Sequence, residues 1–454
     1  MGLRGILPYI RHSKGKSLDT VSPSAIAEAN DKTLSEIETQ YGSVDGFVMD
    51  ELGYDSKDAL YAALSAEQID GVAMAIHQMK QGKAMIIGDQ TGVGKGRQMA
   101  ALIRWANRQG KKPVFFTKDD SLFSDLYRDM KDTGSQTLRP LIINAKAKMI
   151  DGNIAAFSAP SENEMDKIVQ DGMVPDGYDY VVLTYSQLSS GDSISRAEKR
   201  SKTEGRKRSM ARADFIRKIA KDNYLLCDES HTAAGQGQTA AFMRSIIPST
   251  LGVTFASATF AKRPDSMPLY AIKSAMAEAK VGALELIQMV QRGGVTLQEI
   301  LSRNLAEAGQ MVRRQRLMDD VETEWKTVTD PELARKAKEG YDGVIGLYND
   351  ILDFRRGHGG AFSAPNTYAF IRQLLLSLKV DAIVDEAVSE LKAGRKPLIA
   401  LENTRESAIG DLLAGDELPD ATFGLLLQRC SEGPRNLTRR DSAATGNFFT
   451  GFVK

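Results

Sequence analysis

An apolar segment that runs into a glycine-rich turn ending in lysine constrains this chain more than any other feature. Residues 84–87 are apolar, and Gly88-Asp89-Gln90-Thr91-Gly92-Val93-Gly94-Lys95-Gly96-Arg97 follows. Glycines let backbone N–H groups turn toward phosphates, while the lysine and the start of the next helix add positive charge. The segment predicts a strand–loop–helix unit of an α/β protein that binds a nucleoside triphosphate. The predicted contacts to ATP are Gln68, Thr91, Gly92, Val93, Gly94, Lys95, Gly96 and Arg97.

This loop departs at two positions from the usual pattern, which is glycine, four residues, then Gly-Lys-Ser/Thr. Asp89 stands where the first glycine is expected, and Gly96 replaces the hydroxyl residue that ligates magnesium. The loop therefore needs corroboration from elsewhere in the chain.

A second motif supplies this corroboration of the phosphate loop. Asp228-Glu229-Ser230-His231 follows the apolar residues 224–227. We expect Asp228 to hold Mg²⁺, directly or through water, and Glu229 to orient and deprotonate the attacking water. His231 is expected to couple this strand to its neighbours. The predicted catalytic set is therefore Lys95, Asp228, Glu229 and His231, and the metal need not depend on a hydroxyl at position 96.

Composition narrows the class of protein. The chain has 454 residues, of which 42% are hydrophobic and 26% charged, enough for two or three domains. Lys+Arg and Asp+Glu both number 59, so overall basicity gives no argument for nucleic acid. Cys227 and Cys430 lie far apart, which indicates a reducing compartment without a disulfide framework. With no secretion signal and no apolar run of membrane-spanning length, we expect a cytoplasmic protein without a membrane partner.

Apolar segments alternate with helical patterns over residues 64–262, which predicts a parallel sheet covered by helices on both faces. Ligands of such sheets bind at the carboxyl ends of the strands, where Lys95 and Asp228 both fall. The predicted strands are Ala84–Ile87, Pro113–Thr117, Leu141–Ile143, Tyr180–Thr184, Tyr224–Cys227 and Gly252–Ser257, with helices Arg97–Arg108 and Ser121–Asp132.

Three segments keep two interpretations each. Gln68 either closes a capping box with Ser65 or reads the edge of adenine, since an amide both donates and accepts. The basic stretch Tyr9–Lys16 is either a solvated arm or a nucleic-acid contact. The run Arg196–Arg212 cannot be core; it is a solvated loop, or it binds a phosphate backbone through Arg200, Arg206, Lys207, Arg208 and Arg212.

The order of motifs resembles the first RecA-like lobe of a superfamily 2 helicase. Gln68, the loop, Leu183-Thr184-Tyr185-Ser186-Gln187-Leu188, Asp228–His231 and Ala256-Ser257-Ala258-Thr259 follow the family's sequence of motifs. The resemblance implies that Ser257, Ala258 and Thr259 pass the state of the nucleotide to a nucleic-acid face. It also implies an ATPase that uses Mg²⁺ and moves on nucleic acid, with DNA favoured over RNA.

More narrowly, Gly88–Arg97 resembles the strawberry notch family, whose loop also carries a glycine after the lysine. Ser13-Lys14-Gly15, Gly293-Gly294-Val295 and residues 307–315 are further matches, so the resemblance covers most of residues 5–320 and weakly 365–410. The phrase Ile-Gly-Asp-Gln-Thr-Gly is most similar to phage and plasmid members, including helicase-methyltransferase proteins of antirestriction type. That likeness implies a host-cytoplasmic or virion-packaged protein, with a methyltransferase or phage-particle proteins as partners.

We therefore expect an α/β, RecA-like P-loop NTPase sheet with an N-terminal helical region, a helical insertion and the start of a second α/β lobe. The predicted segments are 1–63, 64–262 with a basic insertion at 191–215, a helical region 263–364, and a partial second lobe 365–454 that opens with a strand and turn at Lys396–Thr404. After residue 407 the glutamine-and-arginine motif of a second lobe is missing, which predicts a fragment or a shortened motor. We therefore expect slow ATP hydrolysis by this chain alone; if hydrolysis is instead fast and stimulated by DNA, Arg313, Arg314 and Arg405 are the first candidates to complete the site.

Three functions follow from these features. The leading one is a DNA helicase or translocase motor, and the alternative is a catalytically incomplete nucleotide-binding module in a larger assembly. A small-molecule P-loop kinase is disfavoured because such enzymes lack the Asp-Glu-x-His box followed by Ser-Ala-Thr.

Overall fold

A computed structural model describes residues 5–188, 202–260, 263–317, 331–358, 379–380 and 382–399. The chain divides into two compact units, Met1–Asp320 and Val321–Lys454. The strands are β1 (Ile6–Pro8), β2 (Thr20–Pro23), β3 (Ala84–Ile87), β4 (Val114–Thr117), β5 (Pro140–Ile142), β6 (Lys148–Asp151), β7 (Ile154–Ser158), β8 (Tyr180–Thr184), β9 (Tyr224–Cys227), β10 (Gly252–Ala256), β11 (Met311–Val312) and β12 (Gln315–Arg316). The helices are α1 (Ser24–Tyr41), α2 (Val44–Leu52), α3 (Lys57–Ala63), α4 (Ala66–Lys80), α5 (Lys95–Arg108), α6 (Leu122–Asp132), α7 (Glu162–Asp171), α8 (Lys202–Ala220), α9 (Gln238–Ile246), α10 (Met267–Ala271), α11 (Ala283–Glu307) and α12 (Pro331–His358).

The first unit is built on a seven-stranded parallel sheet in the order β11-β3-β10-β9-β4-β8-β5. The strand before the phosphate loop, β3, and the strand before Asp228, β9, are separated by β10 alone. This arrangement confirms the predicted α/β, RecA-like sheet and brings the loop, the carboxylates and Ser257 to one edge.

Side chains of successive strand residues point to opposite faces, so each strand feeds two cores. Met85 and Ile87 pack with α2, α4, α5 and α6 around Trp105. Ala84 and Ile86 pack on the other face with α8 and α9. Burial on both faces explains why these strands are continuously apolar, and all six predicted strands are present within one residue at either end.

The N-terminal region is helical as predicted, through α1, α2 and α3, but it also contains strands. The strands β1, β2 and β12 form a separate antiparallel sheet. The basic stretch Tyr9–Lys16 is not a solvated arm, because the backbone N–H groups of His12 and Ser13 donate to Asp70 at 3.1 and 2.9 Å. Tyr9 and Ser13 are buried.

The predicted loop in the basic insertion is wrong for residues 202–212, which form the first half of α8. Lysine, arginine, glutamate and alanine are good helix formers, and the helix is anchored further on by the buried residues Phe215, Ile216 and Ile219. Residues 189–201, including Arg200, lie outside the described part of the chain.

The predicted helical region 263–364 also needs correction, because β11 and β12 interrupt it and β11 extends the main sheet beside β3. The predicted joint at Gly293-Gly294 is confirmed, since Gly294 has φ 57° and ψ −145° inside α11. In the second unit, residues 382–392 are helical and 395–399 form no strand. Leu398 is 94% exposed there, so the predicted strand is wrong for residues 396–399. Residues 400–454 lie outside the described part.

Among the described residues, no helix has both the length and the apolar character needed to cross a bilayer.

Candidate nucleotide-binding and hydrolysis site

The loop between β3 and α5 has the backbone of a phosphate cradle. Gly92 and Gly94 have φ values of 94° and 88°, a region that favours glycine, and α5 begins at Lys95. A Cβ on Gly94 would lie 2.1 Å from Gln68 Nε2, so a side chain there would also collide. Lys95 Nζ donates to the carbonyl oxygen of Asp89 at 3.0 Å, which holds the ammonium group over its own loop. Thr91 and Gly92 are exposed and Val93 is buried.

Gln68 is 4% exposed and braces this loop. The backbone N–H of Ser65 donates to Gln68 Oε1 at 3.0 Å, the bond expected of a capping box. Gln68 Nε2 donates to the carbonyl oxygen of Val93 at 2.9 Å. The capping interpretation is therefore confirmed, and a contact of Gln68 with adenine stays a prediction.

Asp228 ends β9 in a site that disfavours its charge. Thr117 Oγ1 donates to Asp228 Oδ2 at 3.3 Å, and the backbone N–H of Asp228 donates to Phe116. Burial, followed by the charge of Glu229, raises the pKa of Asp228 to about 6. A divalent cation would favour the charged carboxylate, so this side chain is suited to hold one.

Glu229 and His231 continue from β9 toward β10. Glu229 has φ 45°, which is uncommon for a residue with a side chain and typical of backbone strain held at functional sites. His231 Nδ1 lies 3.2 Å from Glu229 Oε2 and 3.0 Å from Ser257 Oγ. Ser257 Oγ in turn accepts from the backbone N–H of Thr259 at 3.2 Å. Ser257 is thus joined to Glu229 through His231, and Thr259 is joined to Ser257, while a role of Ser257, Ala258 and Thr259 in coupling stays a prediction.

Sequence reasoning missed the partner of Asp89. Arg314 donates from Nη2 to Asp89 Oδ2 at 2.7 Å and from Nε to Asp89 Oδ1 at 3.0 Å, and both side chains are 0% exposed. Arg314 Nη1 also donates to the carbonyl oxygen of Glu67. The only hint in the sequence is that Asp89 replaces a glycine, because the two residues are 225 positions apart.

This ion pair bears on the arginines expected to complete the site. Arg314 is consumed by Asp89 and is not free to reach a phosphate, so that candidate is wrong. Arg313 beside it is exposed, and Arg405 lies outside the described residues.

The predicted nucleic-acid residues that fall in the described part of the chain all belong to α8. Arg206, Lys207 and Arg208 lie on α8, and Arg212 is half-buried in a groove that Lys146 also lines. Arg97, predicted to contact the nucleotide, donates to Asp132 of α6 at 2.5 Å.

The residues present fit magnesium and a nucleotide. The glycine cradle admits no side chain at position 94, and Lys95 and Asp228 lie at the same edge of the sheet. No group of three or more His, Cys, Asp or Glu side chains placed to hold a metal occurs among the described residues. Magnesium in nucleotide sites is typically held by one or two carboxylates together with phosphates and waters.

The parallel sheet carries a phosphate loop after β3 and a carboxylate pair after β9, and β10 lies between these two strands in the sheet. This arrangement defines a RecA-like P-loop NTPase. Residues 49–343 match the family described as P-loop containing NTP hydrolase pore-1, and the chain belongs to that family.

The chain is also similar to curated relatives. It is 24% identical to protein strawberry notch homolog 1 of Gallus gallus over 393 residues, covering 79% of this chain and 29% of that protein. It is 25% identical to protein strawberry notch of Drosophila melanogaster over 391 residues, covering 78% of this chain and 22% of that protein. The chain thus spans less than a third of these relatives. Among solved structures, a Sulfolobus solfataricus SWI2/SNF2 ATPase core in complex with dsDNA matches at a TM-score of 0.36 and 15% identity, covering 71% of this chain and 64% of that one.

Proposed function

We propose that this chain is an ATP-hydrolysing motor domain of the superfamily 2 helicase and translocase class that acts on DNA. The observation that carries the proposal is the chain of contacts from Glu229 through His231 to Ser257. A P-loop enzyme that only hydrolyses its nucleotide has no need to join its water-activating carboxylate to a second strand end. A motor does need this connection, because the change caused by hydrolysis must reach the rest of the protein.

In the proposed mechanism, Lys95 leaves the carbonyl oxygen of Asp89 and binds the phosphates of ATP, while the N–H groups of the loop and of α5 bind their oxygens. When bound, Mg²⁺ neutralises charge on the phosphates, and Asp228 would hold it. Glu229 accepts a proton from the attacking water. His231 Nδ1 lies close to both Glu229 and Ser257. A change in the charge of Glu229 therefore alters the hydrogen bond between His231 and Ser257.

The proposal that the motor moves on DNA rests on two features. One is the resemblance to superfamily 2 motors, and the other is the set of basic residues Arg200, Arg206, Lys207, Arg208 and Arg212. Contacts of this kind bind phosphates without reading sequence. The finer proposal places the chain in the phage and plasmid branch, in the host cytoplasm or packaged in a virion, with a methyltransferase or phage-particle proteins as partners. Only the sequence of the loop at residues 87–92 supports that branch.

The alternative is a nucleotide-binding module that cannot turn over alone. One observation favours it. Of the three arginines that the sequence offers for the γ-phosphate, Arg314 is buried against Asp89. A missing arginine of this type lowers hydrolysis by about 10³–10⁵-fold.

Both functions are tested by measuring ATP hydrolysis by the purified chain with no nucleic acid, with double-stranded DNA, with single-stranded DNA and with RNA. We expect the largest stimulation by DNA, and we expect Glu229→Gln to bind ATP without hydrolysing it. Glu162→Gln, an exposed glutamate on α7, is the matched control and should behave as the parent. Binding with no hydrolysis under any condition would support the alternative, and hydrolysis by Glu229→Gln at the parental rate would place the general base elsewhere.

A further inference from the structure

Gly96 leaves a gap in the phosphate loop, and a carboxylate from another helix fills it. Gly96 occupies the position at which the usual loop carries the serine or threonine that ligates magnesium. A Cβ built on Gly96 would lie 2.0 Å from Asp129 Oδ2. Asp129 belongs to α6, which packs beside α5. Its carboxylate oxygen therefore reaches the space into which a hydroxyl side chain at residue 96 would project.

The neighbouring cations pair only weakly with this carboxylate, because each has a closer acidic partner. Arg128 Nη2 lies 3.8 Å from Asp129 Oδ1, but Arg128 Nη1 donates to Asp125 at 2.8 Å. Arg97 is paired with Asp132 at 2.5 Å. Among the described residues, no hydrogen bond to the side chain of Asp129 is found. A half-buried carboxylate at the first turn of α5 is thus held next to two arginines that each have a closer partner.

Such an arrangement costs free energy unless a cation joins it, since burial disfavours an unpaired charge. Burial is also the main reason that the pKa of Asp129 is raised to about 6. Magnesium in nucleotide sites takes its protein ligands from one or two oxygen side chains.

We infer that Asp129 supplies the magnesium-binding oxygen that the hydroxyl at position 96 supplies in the usual loop. The inference rests on the proposed function, because it assigns a second protein oxygen, besides Asp228, to the metal of that site. This assignment explains why position 96 is a glycine and which group replaces the missing hydroxyl. Gly96 gives room to the carboxylate, and the carboxylate replaces the lost hydroxyl.

The test compares the affinity of the full chain for ATPγS in Mg²⁺ and in EDTA by calorimetry. In the parent, Mg²⁺ should tighten binding. In Asp129→Asn, the affinity in EDTA should stay as in the parent, while the tightening by Mg²⁺ should fall by about 10- to 100-fold, as for lost outer ligands of metal sites. Glu162→Gln, an exposed glutamate on α7 with no part in this cluster, is the control and should keep the parental tightening.

A reconstruction makes the test independent of this single variant. Asp129→Ala should lose the tightening, and Gly96→Ser combined with Asp129→Ala should regain it, because the double variant carries the usual Gly-Lys-Ser loop. Parental tightening in Asp129→Asn or in Asp129→Ala overturns the assignment while leaving the proposed function intact. If the parent binds no nucleotide in either buffer, the proposed function fails and this assignment fails with it.

Discussion

The buried pair of Asp89 and Arg314 offers the sharpest prediction, because each side chain is 0% exposed and no other ion pair of either one is found among the described residues. Arg314→Met keeps most of the side-chain volume and removes the charge. It leaves the buried carboxylate of Asp89 with two of the donors found in the structure, Gln98 Nε2 at 3.1 Å and the backbone N–H of residue 314 at 3.0 Å. Removing one member of such a pair costs about 3–5 kcal/mol of the free energy of unfolding.

The assay is urea unfolding followed by the fluorescence of Trp105, which is fully buried in the first unit, in a Trp325→Phe background so that one tryptophan reports. Arg313→Met is the matched control. That arginine is adjacent and exposed, and its replacement should change stability by no more than about 0.5 kcal/mol.

A double variant separates the ion pair from packing. Asp89→Gly restores the glycine of the usual loop, and together with Arg314→Met it removes both charges. The double variant should be more stable than Arg314→Met alone, since no unpaired charge remains buried. A loss below about 1 kcal/mol in Arg314→Met, the size expected of an exposed pair, would refute the reasoning.

Three further predictions follow from the site and its surroundings. Lys95→Ala should abolish ATP binding in calorimetry with unchanged circular dichroism, because the point charge on the phosphates is lost, whereas Lys83→Ala, an exposed lysine before β3, should bind as the parent does. Replacing Arg206, Lys207 and Arg208 by alanine should weaken DNA binding equally for all sequences and reduce the slope of log binding constant against log salt concentration by roughly one unit per lost contact. An unaltered slope would mean that this part of α8 is a solvated surface. Burial lowers the pKa of His12, but hydrogen bonds with Asp31 and Glu38 raise it overall. Its stabilising contribution is therefore full below about pH 6.5 and is lost as the pH rises through the raised value, so the urea midpoint should fall further across that range in the parent than in His12→Ala.

The strands of the sheet could be predicted because each is buried on both faces and therefore appears as a continuous apolar run. Tyr224–Cys227 and Gly252–Ala256 are examples. The strand β11 could not be found in this way, since it has two residues and follows directly on a helix. The paired strands β6 and β7 lie apart from the main sheet and carry exposed residues such as Ile154, so they lack the apolar signature.

The chemistry of the site was predictable for a different reason. Lys95, Asp228 and Glu229 owe their roles to residue type and local spacing, which the sequence displays directly. The partners of those residues are set by the fold. Arg314 meets Asp89 across 225 positions, and the rotation of α6 that aims Asp129 at Gly96 follows from packing between helices.

The aspartate at the first glycine position of the loop leads to a physical conclusion about coupling. Asp89 is tied to Arg314 by side-chain bonds, and the backbone N–H of Gln90 donates to the carbonyl oxygen of Arg314 at 2.8 Å. The next residues along the chain, Gln315 and Arg316, form β12 and pair with β2. A loop that closes on phosphates cannot move without carrying this segment, because an unpaired charge would be left buried if the bonds broke. We therefore predict that nucleotide binding alters β12 and the N-terminal sheet as well as Ser257, with the bonds of Asp89 to Arg314 providing the second route.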